Sequence, residues 1–574
     1  MCRQVIILVT ITTMNNFLAF LLFFFSVLGG SAQERTKFKV SSPLGIPLEV
    51  AGSFSEVRSN HFHSGIDFRT GGKEGEPVYA IADGYVSRIK ISATGYGKAV
   101  YITHPEGYTS VYAHLQKLNP QLDSLLRLQH VKAKSYELDW YPDKGLIPIK
   151  RGDWIAFSGN TGGSAGPHLH FEIRDAATEN SLNPLQFGLK VQDTLAPQFE
   201  SFCIWNSVAP SGLEVDEINR FFKFTNGVGS TDTLPVVVKQ GELQIAVSVI
   251  DKYLSTSGDC GIQRLRMYFD GMPVYDMQLK EVNFSQTKAV NGFAPLGIYK
   301  AHHAQWYRCS KPITWEAKDI ATIWGIPIMV EDSLVHSLRF EATDWSNHTS
   351  IDVAFLQAKG LEKPLSDEDE EDLVFAGEET TLDFKHGKLK FQMESLFDDV
   401  VIKIHEVPTP EGMYNGIEIG HEGIGLYKPA VLDLSLKNVP SHLVNQLGVV
   451  RYDGHDWNWV GGKSVGDFFQ SNVSSLGIFA LAVDLNKPSI QRGEMVLPDS
   501  TLDGYIEFRI FDSESGISKI TPTVNAEWQY YEHDAKSNTV RVYLNKQWAS
   551  EEERTFKFVV RDGVGNESVF EMKL

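Results

Sequence analysis

The chain has 574 residues, which is too many for one hydrophobic core and predicts three or four domains. Hydrophobic residues make up 42% and charged residues 22%, which is typical of a folded globular protein. The formal net charge of -19 argues against nucleic-acid binding, because proteins that bind nucleic acids neutralise phosphates with positive charge.

An apolar run lies close to the N-terminus, at residues 17–28 (FLAFLLFFFSVL). The small residues 30–32 (GSA) follow it and form a site at which signal peptidase could cut. We interpret residues 1–32 as a signal peptide and expect export to the periplasm, the cell surface or the medium. A signal anchor that includes residues 5–11 is the alternative, but polar residues interrupt that stretch. No membrane span is expected after signal cleavage.

Three cysteines remain after cleavage, at Cys203, Cys260 and Cys309. This odd number in an oxidising compartment allows one disulfide and one spare thiol, but the sequence does not choose the pair. None of the three has zinc-ligand spacing to the histidine motifs below, so thiolate ligation is not expected.

Short apolar runs separated by turn residues predict an antiparallel β domain from Gln33 onward. Residues 78–82 lead through an Asp-Gly pair into residues 85–91, which predicts a hairpin because Asp-Gly tolerates positive φ angles. Residues 98–102 and 109–114 predict a second pair of neighbouring strands.

An insertion at residues 116–150 breaks the β pattern. Its leucines at positions 122, 125, 126 and 128 have roughly helical spacing, which predicts a helix. Two interpretations stay open: a surface excursion packed by its own leucines, or a wall of the substrate groove. Strands resume at residues 153–157.

From about Val191 the chain consists of many β runs with a weak internal repeat. Residues 251–262 and 512–517 each place an acidic loop before Gly-Ile. Residues 340–347 resemble residues 558–566, where a last strand turns through Asp and Asn. Two immunoglobulin-like sandwiches are the simplest account.

Six consecutive acidic residues, 367–372, lie between the two sandwiches and are interpreted as a solvated linker. A calcium loop is the alternative, but the EF-hand pattern with its internal Gly is absent. After this run, alternation at residues 432–436 and a hairpin pattern at residues 449–460 predict another β domain. Trp457 and Trp459 could stack on sugar rings, but aromatics on one strand face are more often core.

Residues 166–173 (GPHLHFEI) predict a strand with chemistry on one face, where His168, His170 and Glu172 alternate with apolar residues. Two imidazoles on one face could bind a divalent metal, or one could bind it while the other transfers protons. Glu172 could orient an imidazole by hydrogen bonding or could simply be solvated. Taken alone, the motif is also consistent with two histidines that lie near a surface on one strand and have no functional role.

A second group lies upstream, where His63 and Asp67 stand four residues apart and could converge on one metal across a bend. Together with His168 and His170 they provide more groups than a three-ligand catalytic zinc site needs. His114, at the end of a predicted strand, adds another. We therefore expect one site within the first β domain.

These motifs resemble the lysostaphin-type, or LytM-like, zinc metallopeptidases, which cut peptide bridges in bacterial cell walls. The resemblance covers about residues 45–188. It rests on HxxxD at residues 63–67, YAHL at residues 112–115 and GxxGxSxGPHLHFEI at residues 159–173.

The resemblance implies one Zn²⁺ per peptidase domain, with ligands and catalytic histidines as follows: His63, Asp67 and His170 bind the metal, and His114 and His168 are catalytic. The chain has no His-Glu-x-x-His helix, so a histidine must replace the usual glutamate base. Which histidine takes the proton and which stabilises the oxyanion stays open. His61 and His104 flank the motifs and are expected to be structural or surface residues.

The implied function is an exported zinc metalloendopeptidase that hydrolyses peptide bonds in peptidoglycan stem peptides or cross-links through a metal-activated water. The alternative is a non-catalytic LytM-like protein that binds wall peptides or activates another cell-wall hydrolase. Such a member should have lost a ligand or a catalytic histidine, whereas all five positions are filled here. An adhesin-like protein is a third interpretation. The C-terminal β domains could bind other envelope proteins.

The expected fold is mainly β, with an N-terminal antiparallel β peptidase domain followed by immunoglobulin-like β-sandwich domains. The expected segments are, in chain order, the signal peptide at 1–32, the LytM-like peptidase domain at 33–190 with its core at 45–188 and insertion at 116–150, an immunoglobulin-like domain at 191–357, the acidic linker at 358–378, a β domain at 379–485 and an immunoglobulin-like domain at 486–574.

Overall fold

A computed structural model describes most of the chain: residues 38–206, 221–224, 234–254, 258–294, 296–298, 305–314, 318–361, 372–497, 504–544 and 553–574. The interpreted signal peptide, and the acidic run apart from Asp372, lie outside the described residues. Strands predominate in the described part, which confirms the predicted mainly β class. Within those ranges, no helix has the length and apolar character needed to cross a membrane.

The first region carries the histidine motifs on short antiparallel strands. Its elements are β1 (Val50–Gly52), β2 (Val57–Arg58), β3 (His61–Phe62), β4 (Ile66–Arg69), β5 (Pro77–Tyr79), β6 (Gly84–Ile91), β7 (Lys98–Thr103), β8 (Tyr108–Ala113), β9 (Lys117–Leu118), α1 (Pro120–Ala133), β10 (Leu138–Trp140), β11 (Pro148–Ile149), β12 (Trp154–Phe157), β13 (His168–Asp175), β14 (Ser181–Leu182) and a 3-10 turn at Pro184–Phe187.

The main sheet of this region has the order β1-β4-β13-β8-β7-β6-β10, and β5, β12 and β9 form a smaller sheet. Strand β13 therefore lies near the middle, paired with β4 on one side and β8 on the other. Leu169, Phe171 and Ile173 are fully buried in the core, as the alternation predicted. This packing holds the opposite face of β13 in place.

The predicted Asp-Gly hairpin at residues 78–91 is wrong. Strand β5 pairs with β12 and β6 pairs with β7, so the chain crosses between two sheets at this point. A Cβ on Gly84 would lie 2.4 Å from the Thr103 carbonyl oxygen. Glycine is therefore needed here because β6 and β7 approach closely, and not because the chain makes a tight turn. The second predicted pair is present, because β7 and β8 form an antiparallel hairpin.

The insertion forms helix α1, as its leucine spacing predicted. Asn119 caps the helix, since its side chain accepts from the Leu122 amide at 2.9 Å, and Pro120 occupies the first turn. The helix ends at Lys134, which has a left-handed φ of 50°. Leu122 and Leu126 are buried, whereas Leu128 is exposed, so the helix packs along one stripe.

The second region forms a ten-stranded arrangement in which β17 and β25 pair in parallel. Its elements are β15 (Gln198–Asn206), β16 (Phe221–Lys223), β17 (Val236–Ile250), β18 (Arg264–Phe269), β19 (Met272–Leu279), β20 (Glu281–Val282), a 3-10 turn at Thr287–Ala289, α2 (Val290–Phe293), β21 (Trp306–Arg308), β22 (Ala321–Gly325), β23 (Ile328–Val330), β24 (Val335–Thr343) and β25 (Thr349–Leu361).

The third region contains two five-stranded sheets around its own cluster of buried side chains. Its elements are β26 (Leu373–Val374), β27 (Thr380–Phe384), β28 (Gly387–Phe391), β29 (Val400–Val401), β30 (Ile404–Glu406), β31 (Met413–Ile419), β32 (Gly425–Ser435), a 3-10 helix at Ser441–Gln446, β33 (Leu447–Tyr452), β34 (Trp457–Gly461), β35 (Lys463–Val465), β36 (Phe468–Ser475) and β37 (Gly477–Val483). The predicted hairpin at residues 449–460 is present as β33 and β34. Trp457 and Trp459 are half-buried against Val450.

The fourth region has two four-stranded sheets, β38-β39-β43-β42 and β41-β40-β44-β45. Its strands are β38 (Ser489–Val496), β39 (Gly504–Phe511), β40 (Ile517–Val524), β41 (Glu527–Trp528), β42 (Tyr531–Asp534), β43 (Thr539–Leu544), β44 (Thr555–Asp562) and β45 (Glu567–Lys573). Phe508 and Phe558, from different sheets, stack with ring centroids 4.2 Å apart. The immunoglobulin-like assignment and the domain boundaries stay predictions.

Contacts between regions are extensive. Buried side chains of the first, second and fourth regions form one continuous hydrophobic cluster. The ring of Tyr136, in the insertion, lies 5.8 Å from that of Tyr531 in the fourth region. Arg127 of α1 lies over the ring of Tyr530, 5.0 Å from its centroid. The insertion therefore connects the first region to the last.

The three described cysteines are buried free thiols. The single disulfide that the sequence allowed is absent among the described residues. Burial raises the pKa of each of these thiols, so Cys203, Cys260 and Cys309 behave as apolar core residues.

Candidate metal centre

Strand register brings the predicted site residues together. His170 on β13 lies opposite Asp67 on β4 and opposite Ala113 on β8. His114 follows Ala113 with a left-handed φ of 56°, which ends the strand beside the site. His63 lies three residues before β4. The four side chains therefore meet at one end of the sheet.

Three of these residues form a compact donor set. The Nε2 atom of His63 lies 3.1 Å from Asp67 Oδ1 and 3.1 Å from His170 Nδ1, and His170 Nδ1 lies 2.9 Å from Asp67 Oδ1. All three residues are buried. Two imidazole nitrogens and one carboxylate oxygen suit a zinc ion and leave a coordination position open, so this donor set fits the metal that the resemblance implies.

Each histidine of the donor set has its second nitrogen fixed by an acceptor. His63 Nδ1 donates to the Ser53 carbonyl oxygen at 2.6 Å, and His170 Nε2 donates to Glu172 Oε1 at 2.9 Å. Since a carbonyl and a carboxylate only accept, these bonds fix a proton on His63 Nδ1 and on His170 Nε2 and turn His63 Nε2 and His170 Nδ1 toward Asp67.

Glu172 is fully buried and receives further hydrogen bonds. Its Oε1 accepts from Ser64 Oγ at 2.6 Å and from the Tyr96 hydroxyl at 2.5 Å, and its Oε2 accepts from Arg174 Nε at 2.6 Å. Burial alone would raise the pKa of Glu172, but the charge of Arg174 and the bond to His170 outweigh it and lower the pKa. Glu172 is therefore an ionised acceptor beside His170, and not a solvated side chain.

The second oxygen of Asp67 is held by Arg58, whose Nη2 donates to Oδ2 at 2.9 Å. Arg58 is itself fixed by Glu56, because its Nε donates to Glu56 Oε1 at 2.7 Å. Burial raises the pKa of Asp67, but His63 and the hydrogen bonds from the other histidines outweigh it and hold the pKa well below its usual range. Asp67 thus stays ionised in a buried position.

The two remaining histidines lie beside the donor set, with ring centroids 4.9 Å apart. His168 Nδ1 donates to the Gly166 carbonyl at 2.8 Å, and His114 Nδ1 donates to the Thr161 carbonyl at 2.8 Å. In His114 this leaves Nε2 as the acceptor, whereas His168 Nε2 lies 3.3 Å from Asp67 Oδ1. Burial and the neighbouring histidines His170 and His168 lower the pKa of His114 to about 3, so its imidazole is neutral near pH 7.

The site opens into a cleft of about 1120 Å³. Tyr96 and Pro167 line it together with Phe284 and Thr287, which come from the second region. All of residues 116–150 are described, and none of them lines the cleft, so the interpretation of the insertion as a groove wall is wrong. The insertion instead packs against β6 and the fourth region.

The two flanking histidines differ. His61 lines the cleft, which the sequence did not predict. His104 is buried, with Nδ1 bonded to the Asp83 carbonyl and Nε2 to Ser110 Oγ, both at 2.9 Å, so it is structural as expected.

The sequence motifs missed the groups that orient the donor set. Arg174 could have been found, because it continues the alternation of His168, His170 and Glu172 on the same strand face. Arg58 and Tyr96 belong to no local pattern, and their role depends on tertiary contacts.

Family comparisons agree with this geometry. Residues 61–135 match the model of Peptidase family M23, and residues 372–484 match that of a Zu5-like domain. The M23 match includes His63, Asp67 and His114 and ends before His168.

Three curated relatives each match part of the chain. An uncharacterized metalloprotease of Haemophilus influenzae is 36% identical over 123 residues, which are 21% of this chain and 20% of the relative. The DD-carboxypeptidase/endopeptidase Mpg of Neisseria meningitidis is 30% identical over 151 residues, 26% of this chain and 27% of the relative. The murein hydrolase activator NlpD of Salmonella dublin is 33% identical over 125 residues, 22% of this chain and 26% of the relative.

The chain thus spans only about a fifth to a quarter of the length of these relatives. Among solved structures, the catalytic domain of the prophage-encoded M23 protein EnpA from Enterococcus faecalis is 22% identical, with a TM-score of 0.20, and covers 27% of this chain and 99% of that one.

Proposed function

Because the N-terminal part of the described chain is an M23-type peptidase domain, we propose that the protein is an exported zinc metalloendopeptidase acting on peptidoglycan. The observation that carries this proposal is the complete set of side chains around one cleft, with three buried metal donors and two further histidines. A member that had lost catalysis would be expected to lack at least one of them.

In this proposal His63, Asp67 and His170 hold the zinc ion. When bound, zinc would supply Lewis acidity, which would polarise a peptide carbonyl and lower the pKa of water toward neutrality. His63 and His170 are oriented by Ser53 and Glu172, so His63 Nε2 and His170 Nδ1 are the nitrogens that face Asp67 and would bind the metal.

His114 and His168 are the proposed proton-transfer groups. Each has Nδ1–H bonded to a backbone carbonyl, so Nε2 can accept a proton from the attacking water. Once protonated, the same atom can donate to the carbonyl oxygen or return the proton to the amine released when the C–N bond breaks. Two such histidines side by side replace the glutamate base of other zinc peptidases.

Peptidoglycan stem peptides or cross-links are the proposed substrates, supported by the relative named as a DD-carboxypeptidase/endopeptidase. The cleft has a volume of about 1120 Å³, which can hold a peptide segment, and the glycine-rich loop at Gly163 lines it together with Phe284 and Thr287. Export follows from this substrate, which lies outside the cytoplasm. The β regions after residue 191 are the proposed contacts to other envelope proteins.

The test is a digest. The chain without residues 1–32 is purified, its zinc content is measured, and it is incubated with cross-linked peptidoglycan. We expect one zinc ion per chain and release of muropeptides, whose masses identify the bond cut. The variant His170→Ala should release none, and His405→Ala, at an exposed histidine of β30, is the matched control. Equal release by wild type and His170→Ala would contradict the proposal.

Activation of another wall hydrolase is the second candidate, favoured by the similarity to NlpD, named a murein hydrolase activator. In that case the purified chain would leave peptidoglycan intact but would increase its cleavage by an added hydrolase. His170→Ala would then leave that increase unchanged if the metal plays no part in activation.

A further inference from the structure

Three aspartates meet at one end of the fourth region. Asp484 directly follows β37 in the connection to β38, Asp512 directly follows β39, and Asp562 is the last residue of β44. Each offers a carboxylate oxygen, and these oxygens all lie within 4.8 Å of one another. Asp484 is also the last residue of the Zu5-like match, so this aspartate cluster lies at the junction between the third and fourth regions.

Asp484 and Asp562 are buried and Asp512 is half-buried, and the oxygens of the cluster are unequally bonded. Asp562 is 1% exposed, and its Oδ1 accepts from three successive backbone amides, those of residues 564–566. Asp512 Oδ1 accepts from the amides of Glu514 and Gly516. The Oδ2 atoms of Asp512 and Asp562 are buried, and nothing in the described part of the chain donates a hydrogen bond to either.

Three carboxylates at this separation, two of them buried and one half-buried, repel one another unless a positive charge or protons compensate them. Among the described residues, none of the three forms an ion pair with a lysine or arginine. Backbone amides hold Oδ1 of Asp512 and of Asp562, while the Oδ2 atom of each has no donor among the described residues. Asp484 is bonded at both oxygens, with Oδ1 accepting from the Asn486 amide and Oδ2 accepting from the amide and hydroxyl of Ser515.

The second region repeats this arrangement at the same topological positions. Asp193 lies before β15, Asp251 follows β17 and Asp344 follows β24, and the strand pairs β15 with β17 and β24 with β25 correspond to β38 with β39 and β44 with β45. Asp251 is fully buried with both carboxylate oxygens unpartnered within the described residues. There, however, His348 Nδ1 lies 2.9 Å from Asp344 Oδ2 and gives that oxygen a hydrogen-bond partner.

We propose that Asp484, Asp512 and Asp562 bind one divalent cation of the calcium class at the junction between the third and fourth regions. Calcium prefers carboxylate and other oxygen ligands in flexible geometry, and water can complete its coordination. Ligands from Asp484 on one side and from Asp512 and Asp562 on the other would tie the two regions together. Asn566 supports the same junction, since its Nδ2 donates to the Asp484 and Asn486 carbonyls.

The test measures calcium binding by the full chain without residues 1–32, stripped of metal and given back one equivalent of zinc. We expect wild type to bind one more calcium ion per chain than the double variant Asp512→Asn and Asp562→Asn, by calorimetry. Calcium at about 10 mM, above the range of extracellular calcium modules, should raise the thermal midpoint of wild type more than that of the variant.

The asparagine variant also reports on folding, because removing two repelling charges should leave its midpoint in EDTA at or above that of wild type. Asp467→Asn, at an exposed aspartate of the third region, is the matched control and should bind calcium like wild type. Equal calcium stoichiometry in wild type and the double variant would overturn the proposal. So would a wild-type midpoint that calcium leaves unchanged.

Discussion

His170 and Glu172 lie on the same face of β13, and the Nε2 proton of His170 bonds to Glu172 Oε1 at 2.9 Å. This bond keeps a proton on Nε2 and leaves Nδ1 as the nitrogen that faces Asp67. Glu172→Gln should therefore weaken zinc binding by about 10- to 100-fold, since partners of this kind orient the ligand and raise its basicity. Competition with a chromogenic chelator measures the affinity. Glu411→Gln, at an exposed position, is the control, and equal affinities would refute the role of Glu172.

His114→Ala and His168→Ala should each lower kcat by about 10²- to 10⁴-fold, the usual contribution of a proton-transfer group. Neither variant should change the zinc content, because both side chains lie outside the donor set. Metal analysis beside steady-state rates separates these variants from His63→Ala, which should lose zinc and activity together. Loss of zinc in His114→Ala would assign that residue to the ligands instead.

Gly162→Ala should impair catalysis without removing the metal. Gly162 has a φ of +72°, and a Cβ there would lie 2.3 Å from the Gly95 carbonyl oxygen, so the loop must move. The adjacent Thr161 carbonyl holds His114 Nδ1, and its displacement should lower kcat while zinc content stays constant. Gly145→Ala is the matched control, because Gly145 has a similar φ of +80° but faces open space. Similar rates for both variants would contradict this prediction.

Lys98 and Glu532 join the first and fourth regions, with Nζ and Oε1 2.7 Å apart. Glu532 also accepts from the Tyr543 hydroxyl at 3.1 Å, so Glu532→Ala leaves partly buried donors unpaired. We expect a loss of about 1–3 kcal/mol in the free energy of unfolding. A double-mutant cycle with Lys98→Met isolates the pair. The exposed pair Lys385 and Glu406 should give less than about 1 kcal/mol, and equal coupling in both cycles would oppose the prediction.

Asp251 gives the chain a pH-dependent stability in EDTA. Burial, and then the charges of Asp344 and Asp193, raise the pKa of Asp251 to about 8. In the unfolded chain an aspartate titrates near about 4, so the folded state holds a proton that the unfolded state has released. The contribution is complete below about pH 4 and is lost as the pH rises toward about 8. Unfolding midpoints across this range should fall more steeply for wild type than for Asp251→Asn.

The sequence predicted the strand that carries the site and the residues around it. Period-two alternation places His168, His170 and Glu172 on one face whatever the tertiary fold, and the leucine spacing of α1 has a local cause as well. Asn119 before Pro120 is a local capping signal of the same kind. Patterns of this type depend on neighbours along the chain.

The remaining features depend on contacts that are distant in sequence. An Asp-Gly pair is compatible both with a hairpin turn and with a crossing to another sheet. The choice between them depends on a tertiary contact, the close approach of Gly84 to the Thr103 carbonyl oxygen. Arg58 reaches Asp67 because β1 and β4 pair, which no motif records. Phe284 lines the cleft but lies more than a hundred residues after β13 in the sequence, so no local sequence pattern predicts its position there.

Phe284 and Thr287 form a wall of the cleft and belong to the second region, whereas the candidate metal centre belongs to the first. The two regions are joined at this wall, because Thr287 Oγ1 accepts from the Phe62 amide at 3.1 Å. Recognition can therefore diversify through changes in residues 281–289 while the reacting groups stay constant. A transplant of the first region alone into another protein would keep the candidate metal centre but lose the cleft wall at Phe284 and Thr287.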